Sequence, residues 1–150
     1  TLLAGGVKPP APSPRYVRAD ALRLPFADRS FDLVICRVIL MSLPVRAALR
    51  ELARVVAGGG RLYLHLTGPG FYLEDFARGR RKGSVFALLN GSLLSFLSIQ
   101  MKVGGLWNNF ETVRRVRTIL KREGLSVSEI EPGPLRWKLP VNVKLLVRRA

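Results

Sequence analysis

The chain has 150 residues, of which 48% are hydrophobic and 23% charged, proportions typical of a globular domain rather than of a disordered or collagen-like chain. A single cysteine and a single histidine exclude a disulfide-stapled module and a zinc finger. The formal charge of +15 leaves nucleic acid, a phospholipid surface and an anionic small molecule open as partners.

The first part of the chain predicts a linker followed by two strands. Four prolines within residues 1–14 prevent a helix and favour an extended, Pro-rich linker. Residues 15–19 predict a short strand. Residues 31–36 form a nearly continuous apolar run, which is typical of a central parallel strand that is buried on both faces.

A helix is predicted next. Pro44 suits its first turn, where the missing N–H is not needed. One apolar stripe at helical spacing is formed by Val45, Leu49, Leu52 and Val56. The opposite, solvent-facing side carries Arg46, Arg50 and Arg54.

Three glycines at 58–60 predict the end of that helix, and residues 61–66 predict the strand that follows. A strand, a helix and a second strand joined by short turns predict a βαβ unit, and therefore a parallel sheet.

The last part of the chain predicts a helix and two further strands. Asn108 and Glu111 have the spacing of a capping box, which predicts a helix over about 110–123. Gly124 is expected to stop this helix. Two strands follow, at 125–130 and 141–147.

The charge is concentrated in residues 76–122, which hold ten basic side chains against a single acidic one. Within this region residues 83–101 carry no formal charge and follow the basic cluster 78–82. Asn90, Gln100 and four serines make this stretch too polar for a transmembrane helix. Its apolar residues recur at helical spacing and predict a helix packed on the domain. The alternatives are an apolar pocket, or an interfacial helix whose basic flank contacts lipid phosphates.

Two segments carry a family resemblance. Residues 20–34 read DALRLPFADRSFDLV and residues 49–62 read LRELARVVAGGGRL. Together they resemble the class I S-adenosylmethionine-dependent methyltransferases, and most closely the small-molecule branch that includes quinone-biosynthesis enzymes. The resemblance implies an α/β, Rossmann-like sheet, S-adenosylmethionine as the cofactor and methyl transfer as the reaction.

The chain departs from this family at one point. The glycine-rich first loop is absent, because Gly5 and Gly6 are followed by prolines rather than by a helix. We therefore expect residues 15–150 to form the C-terminal part of a single methyltransferase domain. Its sheet would be incomplete on the N-terminal side, with a helical lid insertion at about 71–108.

The resemblance also implies a cofactor site. Asp20 would accept a hydrogen bond from the adenine amine, and the backbone N–H of Ala21 or Leu22 would meet a ring nitrogen. Cys36 and Arg37 would line the methionine side of the cofactor through their backbone atoms. The alternative for Asp20 is a plain turn or cap residue.

An acceptor site is expected from aromatic residues near the lid. They are Phe71, Tyr72, Phe76, Trp107 and Phe110. Catalytic residues stay unassigned, since Ser42 replaces a histidine that is common in the family. His65, near a strand end, is a candidate general base, and the alternative is a lone histidine that is hydrogen-bonded locally. No metal is expected.

The predicted function is methyl transfer from S-adenosylmethionine to a small, hydrophobic acceptor. Two alternatives remain open: a methyltransferase that acts on RNA or another nucleic acid, and a non-catalytic basic interaction module derived from the same fold. We expect a cytoplasmic protein, and peripheral contact with an anionic membrane surface is left open.

Overall fold

The computed structural model describes residues 15–79 and 111–149, together with the backbone of two short strands between them. The elements, in chain order, are β1 (Phe31–Arg37), a 3-10 turn (Ile39–Ser42), α1 (Val45–Val55), β2 (Val56–Thr67), α2 (Pro69–Ala77), β3 (Lys102–Val103), β4 (Leu106–Trp107), α3 (Val113–Arg122), β5 (Leu125–Pro132), β6 (Leu135–Arg136), β7 (Leu139–Pro140) and β8 (Asn142–Arg149).

The central sheet has four strands in the order β1-β2-β8-β5. Strands β1 and β2 are parallel and are connected through α1, which confirms the predicted βαβ unit. Strand β8 lies antiparallel to both β2 and β5. The result is an α/β fold, as the sequence predicts, whose sheet is mixed rather than wholly parallel.

Helices α1 and α3 pack against the same face of this sheet. On that face, alternate residues of the two central strands are fully buried: Leu62, Leu64, Leu145 and Val147. The helices bury Val45, Leu49, Val116 and Leu120 against them. The apolar stripe predicted for α1 therefore packs on one face of the sheet, although its last member, Val56, is the first residue of β2.

Strand β1 lies at the edge of the sheet, so the prediction that it is central and buried on both faces is wrong. Leu33 and Ile35 remain 51% and 59% exposed, whereas Cys36, which points to the helix-covered face, is buried. The apolar run supplies side chains for two faces, but among the described residues helices cover only one of them.

The predicted strand at residues 15–19 is also wrong. These residues form no strand and are exposed. Within the described part of the chain, β1 shares its ladder only with β2, so residues 15–19 have no neighbouring strand with which to exchange hydrogen bonds.

The ends of α1 differ from the prediction by a few residues. Pro44 is the N-cap rather than the first helical residue, and the helix stops at Val55, before the three glycines. Strand β2 begins at once, and residues 57–60 bulge out of its ladder with β1. Gly59 has a φ of 71°, the left-handed backbone that glycine adopts at little cost.

The helix α3 begins later than the capping-box spacing predicts. Its N-cap is Thr112, whose hydroxyl accepts the Arg115 N–H at 3.2 Å, and Glu111 lies just outside the helix. The predicted cap, Asn108, lies outside the described residues. Gly124, at a φ of 75°, follows the end of the helix as predicted.

The predicted linker at 1–14 and the uncharged stretch 83–101 lie outside the described residues. Of the predicted lid, the structure describes α2 and the backbone pair formed by β3 and β4. The lid as a unit therefore stays a prediction. None of the described helices is long and apolar enough to cross a membrane.

Candidate functional site

Asp20 lies in a tight turn that its own side chain stabilises. Its Oδ1 accepts the Leu22 N–H at 2.8 Å, and its carbonyl oxygen accepts the Arg23 N–H at 3.0 Å. Asp20 is exposed, while Ala21 and Leu22 are half-buried and Leu22 packs against the core. Because Leu22 already donates to Asp20, Ala21 is the predicted donor that this turn leaves for a ligand, beside the carboxylate oxygen Oδ2.

Two side chains of α1 bind the segment that follows this turn. Glu51 Oε1 accepts the Leu24 N–H at 2.7 Å. Arg54 donates to the carbonyl oxygens of Leu24 and Phe26, at 3.0 and 2.8 Å, and to Asp28 Oδ1 at 2.6 Å. Arg54 was expected on the solvent face, but its side chain is only 29% exposed.

Both members of this pair are charged near neutral pH. The hydrogen bond from Arg54 is the main reason why the pKa of Glu51 lies below its ordinary value. Hydrogen bonds to Glu51 and then to Asp28 raise the pKa of the Arg54 guanidinium. The contact is thus a charge-assisted pair of hydrogen bonds, stronger than neutral ones.

The end of β1 presents backbone rather than side chains. The thiol of Cys36 faces the core, and burial raises its pKa to about 11, which keeps it protonated near neutral pH. Arg37 is exposed at the last position of the strand. The next residue, Val38, has a φ of 64° and donates its N–H to the His65 carbonyl at 3.0 Å.

A β-branched residue in the left-handed region is strained, and such strain concentrates at functional sites. Val38 lies at the carboxyl end of a parallel strand, where open α/β sheets bind ligands. Nothing in the sequence singles this residue out, because valine is among the residues least expected at a positive φ.

His65 lies near the same end of the neighbouring strand. It is half-buried, opposite Arg37 on β1 and Lys144 on β8. With Thr67 and the buried Glu111 it lines a small pocket beside Val38. The pocket places one imidazole and one carboxylate at the edge where a ligand is expected, but the role of His65 as a base stays a prediction.

The predicted acceptor residues fall into different environments. The rings of Phe71 and Tyr72 meet edge to face, with centroids 5.5 Å apart. Tyr72 is buried, whereas Phe76 is 53% exposed. Trp107 is described only as part of the backbone of β4, and Phe110 lies outside the described residues. Their grouping around an acceptor therefore remains a prediction.

The site also has no cluster of metal ligands within residues 15–79 and 111–149, where no group of three His, Cys, Asp or Glu side chains could hold a metal ion. The hydrogen bonds described for the Asp20 turn and its following segment reach α1, and none reaches the end of β1. The two halves of the predicted cofactor site thus rest on different elements.

Glu51 and Arg54 are the principal residues of the site that sequence reasoning missed. Their spacing of three residues on a helix does predict an ion pair. It does not predict that the pair reaches a segment more than twenty residues earlier in the chain.

The fold now defines a class. A parallel βαβ unit followed by an antiparallel pair of strands is the second part of the Rossmann-like sheet of class I methyltransferases, and the strands described between residues 15 and 149 correspond to that part. Residues 4–64 match a protein family described as a methyltransferase domain.

Individual relatives agree with this class. A methyltransferase of Encephalitozoon cuniculi is 33% identical over 113 residues, which are 73% of this chain and 47% of that protein. A demethylmenaquinone methyltransferase of Beutenbergia cavernae is 42% identical over 76 residues, 43% of this chain and 32% of that protein. The chain thus spans about half the length of the first relative and a third of the second.

Solved structures show the same fold. A methyltransferase from Mesorhizobium loti has a TM-score of 0.61 at 20% identity, over 89% of this chain and 68% of that one. The magnesium protoporphyrin IX methyltransferase of Synechocystis, solved with bound S-adenosylhomocysteine, has a TM-score of 0.55 at 17% identity, over 88% and 49%. The family resemblance predicted from the sequence is confirmed. This chain carries a class I S-adenosylmethionine-dependent methyltransferase fold and resembles the small-molecule branch.

Proposed function

We propose that the full-length protein transfers a methyl group from S-adenosylmethionine to a small, hydrophobic acceptor. The observation that carries this proposal is the Asp20 turn. It leaves one carboxylate oxygen and the Ala21 N–H for a ligand, within a segment that matches the methyltransferase domain. An acceptor and a donor next to each other in the chain suit the amine and ring nitrogen of an adenine edge.

The residues of this chain would bind and orient the reactants. S-adenosylmethionine, when bound, supplies an electrophilic methyl group on a sulfonium. Asp20 and Ala21 would hold its adenine, and the backbone of Cys36 and Arg37 would line its methionine side. Such catalysis depends mainly on placing the acceptor atom in line with the methyl group. A base is needed only where the acceptor must lose a proton, and His65 is then the candidate.

A hydrophobic acceptor is supported by the aromatic residues around α2 and by the relatives. Phe71, Tyr72 and Phe76 lie on that helix, directly after the end of β2, and Trp107 lies on β4. The Beutenbergia relative, named for demethylmenaquinone, suggests a quinone-like ring as the acceptor.

The test is calorimetry and methyl transfer with the full-length protein. We expect S-adenosylmethionine and S-adenosylhomocysteine to bind, and a labelled methyl group to appear on reduced demethylmenaquinone but not on RNA. Absence of cofactor binding would support the non-catalytic module. Transfer to RNA would support the nucleic-acid alternative, and its binding should then weaken steeply with salt.

We also propose peripheral contact with an anionic membrane surface, which would bring the enzyme to a lipophilic acceptor. Support comes from the hairpin of β6 and β7, where Leu135 and Trp137 are 58% and 62% exposed. Arg136 and Lys138 flank the tryptophan, a combination suited to a lipid headgroup region. Sedimentation with phosphatidylglycerol vesicles should carry down the protein and not W137S, while phosphatidylcholine vesicles should carry down neither.

A further inference from the structure

One guanidinium fixes the segment that leads away from the Asp20 turn. Arg54 Nη1 donates to the Phe26 carbonyl and to Asp28, and Nη2 donates to the Leu24 carbonyl. The Arg54 carbonyl in turn accepts the Arg29 N–H at 2.9 Å. Arg54 therefore contacts the segment at four places between residues 24 and 29.

Glu51 completes the contact from the preceding turn of the same helix. Its carboxylate accepts from Arg54 Nη2 at 2.7 Å and from Arg54 Nε at 3.0 Å, so the pair is bidentate. The same Oε1 atom accepts the Leu24 N–H at 2.7 Å. Both backbone groups of Leu24 are thus bound by the pair, the N–H by Glu51 and the carbonyl by Arg54.

The pair is built for a fixed geometry. The side chains of Arg54 and Glu51 are 29% and 14% exposed, so water competes only in part for these bonds. A planar guanidinium presents its donors in a rigid fork, which a lysine ammonium cannot reproduce. The pair joins the segment to a helix whose inner face lies in the core of the domain.

Leu24 lies two residues after Leu22, the residue whose N–H the Asp20 carboxylate binds. The carbonyl of Asp20 also accepts the Arg23 N–H, so residues 20–23 form one turn that continues directly into Leu24. The hydrogen bonds to Leu24 therefore set the position of the turn relative to the domain, together with the packing of Leu22 on the core.

We propose that Glu51 and Arg54 are positioning residues for the cofactor: they hold the turn that carries Asp20 and Ala21 in the orientation that binds adenine. This inference rests on the proposed function. Neither side chain needs to contact the cofactor, because both act through the backbone of Leu24.

A plain structural role is the competing explanation. Arg54 lies in the last turn of α1, where a basic side chain also stabilises the helix dipole. Loss of stability alone would reduce the fraction of folded enzyme and lower kcat, with the KM for S-adenosylmethionine unchanged. Loss of positioning would raise that KM and leave kcat at saturating cofactor intact.

The experiment compares R54K and R54Q with R50Q in the full-length protein. Arg50 is the matched control, because it lies one turn earlier on α1, is 61% exposed and makes one bond, to Glu123. We expect R54K and R54Q to raise the KM for S-adenosylmethionine about tenfold, the effect of losing one charge-assisted hydrogen bond. The KM for the acceptor and kcat should stay within about twofold, and R50Q should match the wild type. A lower kcat with unchanged cofactor KM would overturn the inference.

A second readout does not depend on activity. Amide hydrogen exchange of the same variants, without cofactor, should show faster exchange at Leu22, Arg23 and Leu24 in R54K than in R50Q, with the core strands unchanged. If the wild type fails to bind S-adenosylmethionine, the proposed function fails and this exchange still tests the contact. Unchanged exchange at these three amides would refute the positioning role in either case.

Discussion

Among the hydrogen bonds of the described residues, one of the two carboxylate oxygens of Asp20 has a partner. Oδ1 accepts the Leu22 N–H and stabilises the turn, whereas Oδ2 is available to accept from an adenine amine. The structure shows the turn that the sequence left as one of two interpretations of this residue. Under the proposed function, the same turn would present Oδ2 and the Ala21 N–H together to the adenine.

Replacing Asp20 with alanine removes both functions of the side chain. We expect D20A to bind S-adenosylmethionine more weakly by about 1–3 kcal/mol, the scale of a lost hydrogen bond to a charged group. Calorimetry on the full-length protein measures this change. D20N is the matched control, since its amide oxygen can still accept the Leu22 N–H while its NH₂ group then faces the adenine amine. We expect D20N to keep the turn but not the affinity, and unchanged affinity in both variants would remove Asp20 from the site.

The buried thiol of Cys36 predicts a pH dependence of stability. Burial raises its pKa from 9.0 to about 11, so between these pH values the folded chain holds a proton that the unfolded chain has released. The free energy of unfolding should therefore fall as the pH rises from about 9 to 11, by at most about 1.4 kcal/mol per pH unit from this group. Below pH 9 this contribution is fully present.

Urea unfolding at pH 8, 9 and 10 measures how the free energy of unfolding changes with pH. Comparison with C36A separates the contribution of the thiol from that of lysine and tyrosine titration. The variant should lose stability at pH 8 through the small cavity and show a shallower decline above pH 9. Parallel pH curves for the wild type and C36A would show that the thiol does not titrate in this way. In the folded wild type the thiol should also resist alkylation at pH 8.

At the scale of elements, α2 is held close to the β6–β7 hairpin by a glycine. A Cβ added at Gly70 would lie 2.6 Å from the Leu139 carbonyl oxygen and 3.0 Å from that of Pro140. Alanine normally stabilises a helix relative to glycine. Here the sign should reverse, because neither the strand backbone nor the helix can move without losing the contact.

We expect G70A to destabilise the chain by about 1–3 kcal/mol, the usual cost of overpacking. G58A is the matched control, since a Cβ at Gly58 would meet nothing within 4 Å, and its effect should stay within about 0.5 kcal/mol. Urea midpoints of the two variants measure the difference. Equal midpoints would mean that α2 does not pack against the hairpin in solution.

The sequence predicted the order and type of the long elements, because apolar periodicity decides them. The sequence-based prediction failed where two residues compete for one capping position, and where a strand has no second layer to cover it. Thr112 and Asn108 are both good N-caps, and spacing alone favoured the wrong one. The apolar run of β1 shows which side chains are hydrophobic, but it does not show whether helices cover both faces of the strand.

For the candidate site, local features could be predicted from the sequence, whereas contacts between distant residues could not. The turn at Asp20 was one of the two alternatives that the sequence left, and local hydrogen bonds within four residues form it. The binding of Leu24 by Glu51 and Arg54 depends on contacts between distant parts of the chain, which periodicity does not encode. The strained backbone of Val38 is likewise invisible in residue type.

For the whole molecule, the charge lies partly on the face of the sheet that the helices leave open. Strand register places Arg61 opposite Arg148 on that face. Like charges directly opposite each other destabilise a sheet slightly, and a partner with negative charge would relieve this. Lys144 already has such a partner in Glu131, at 2.7 Å. The positive charge of this face therefore favours contact with a negatively charged partner, and it does not contribute to the pairing of the strands.

The open face also predicts how stability is distributed over the sheet. Leu120 of α3 is fully buried against the helix-covered face, whereas Leu33 of β1 is 51% exposed on the other. The same truncation should thus have unequal effects: L120A should cost about 2–5 kcal/mol and L33A less than about 1 kcal/mol in the 150-residue chain. Urea unfolding of both variants measures the two costs. A large cost for L33A would mean that a second layer covers this face, and the leucine would then contribute to a core that α1 and α3 do not form.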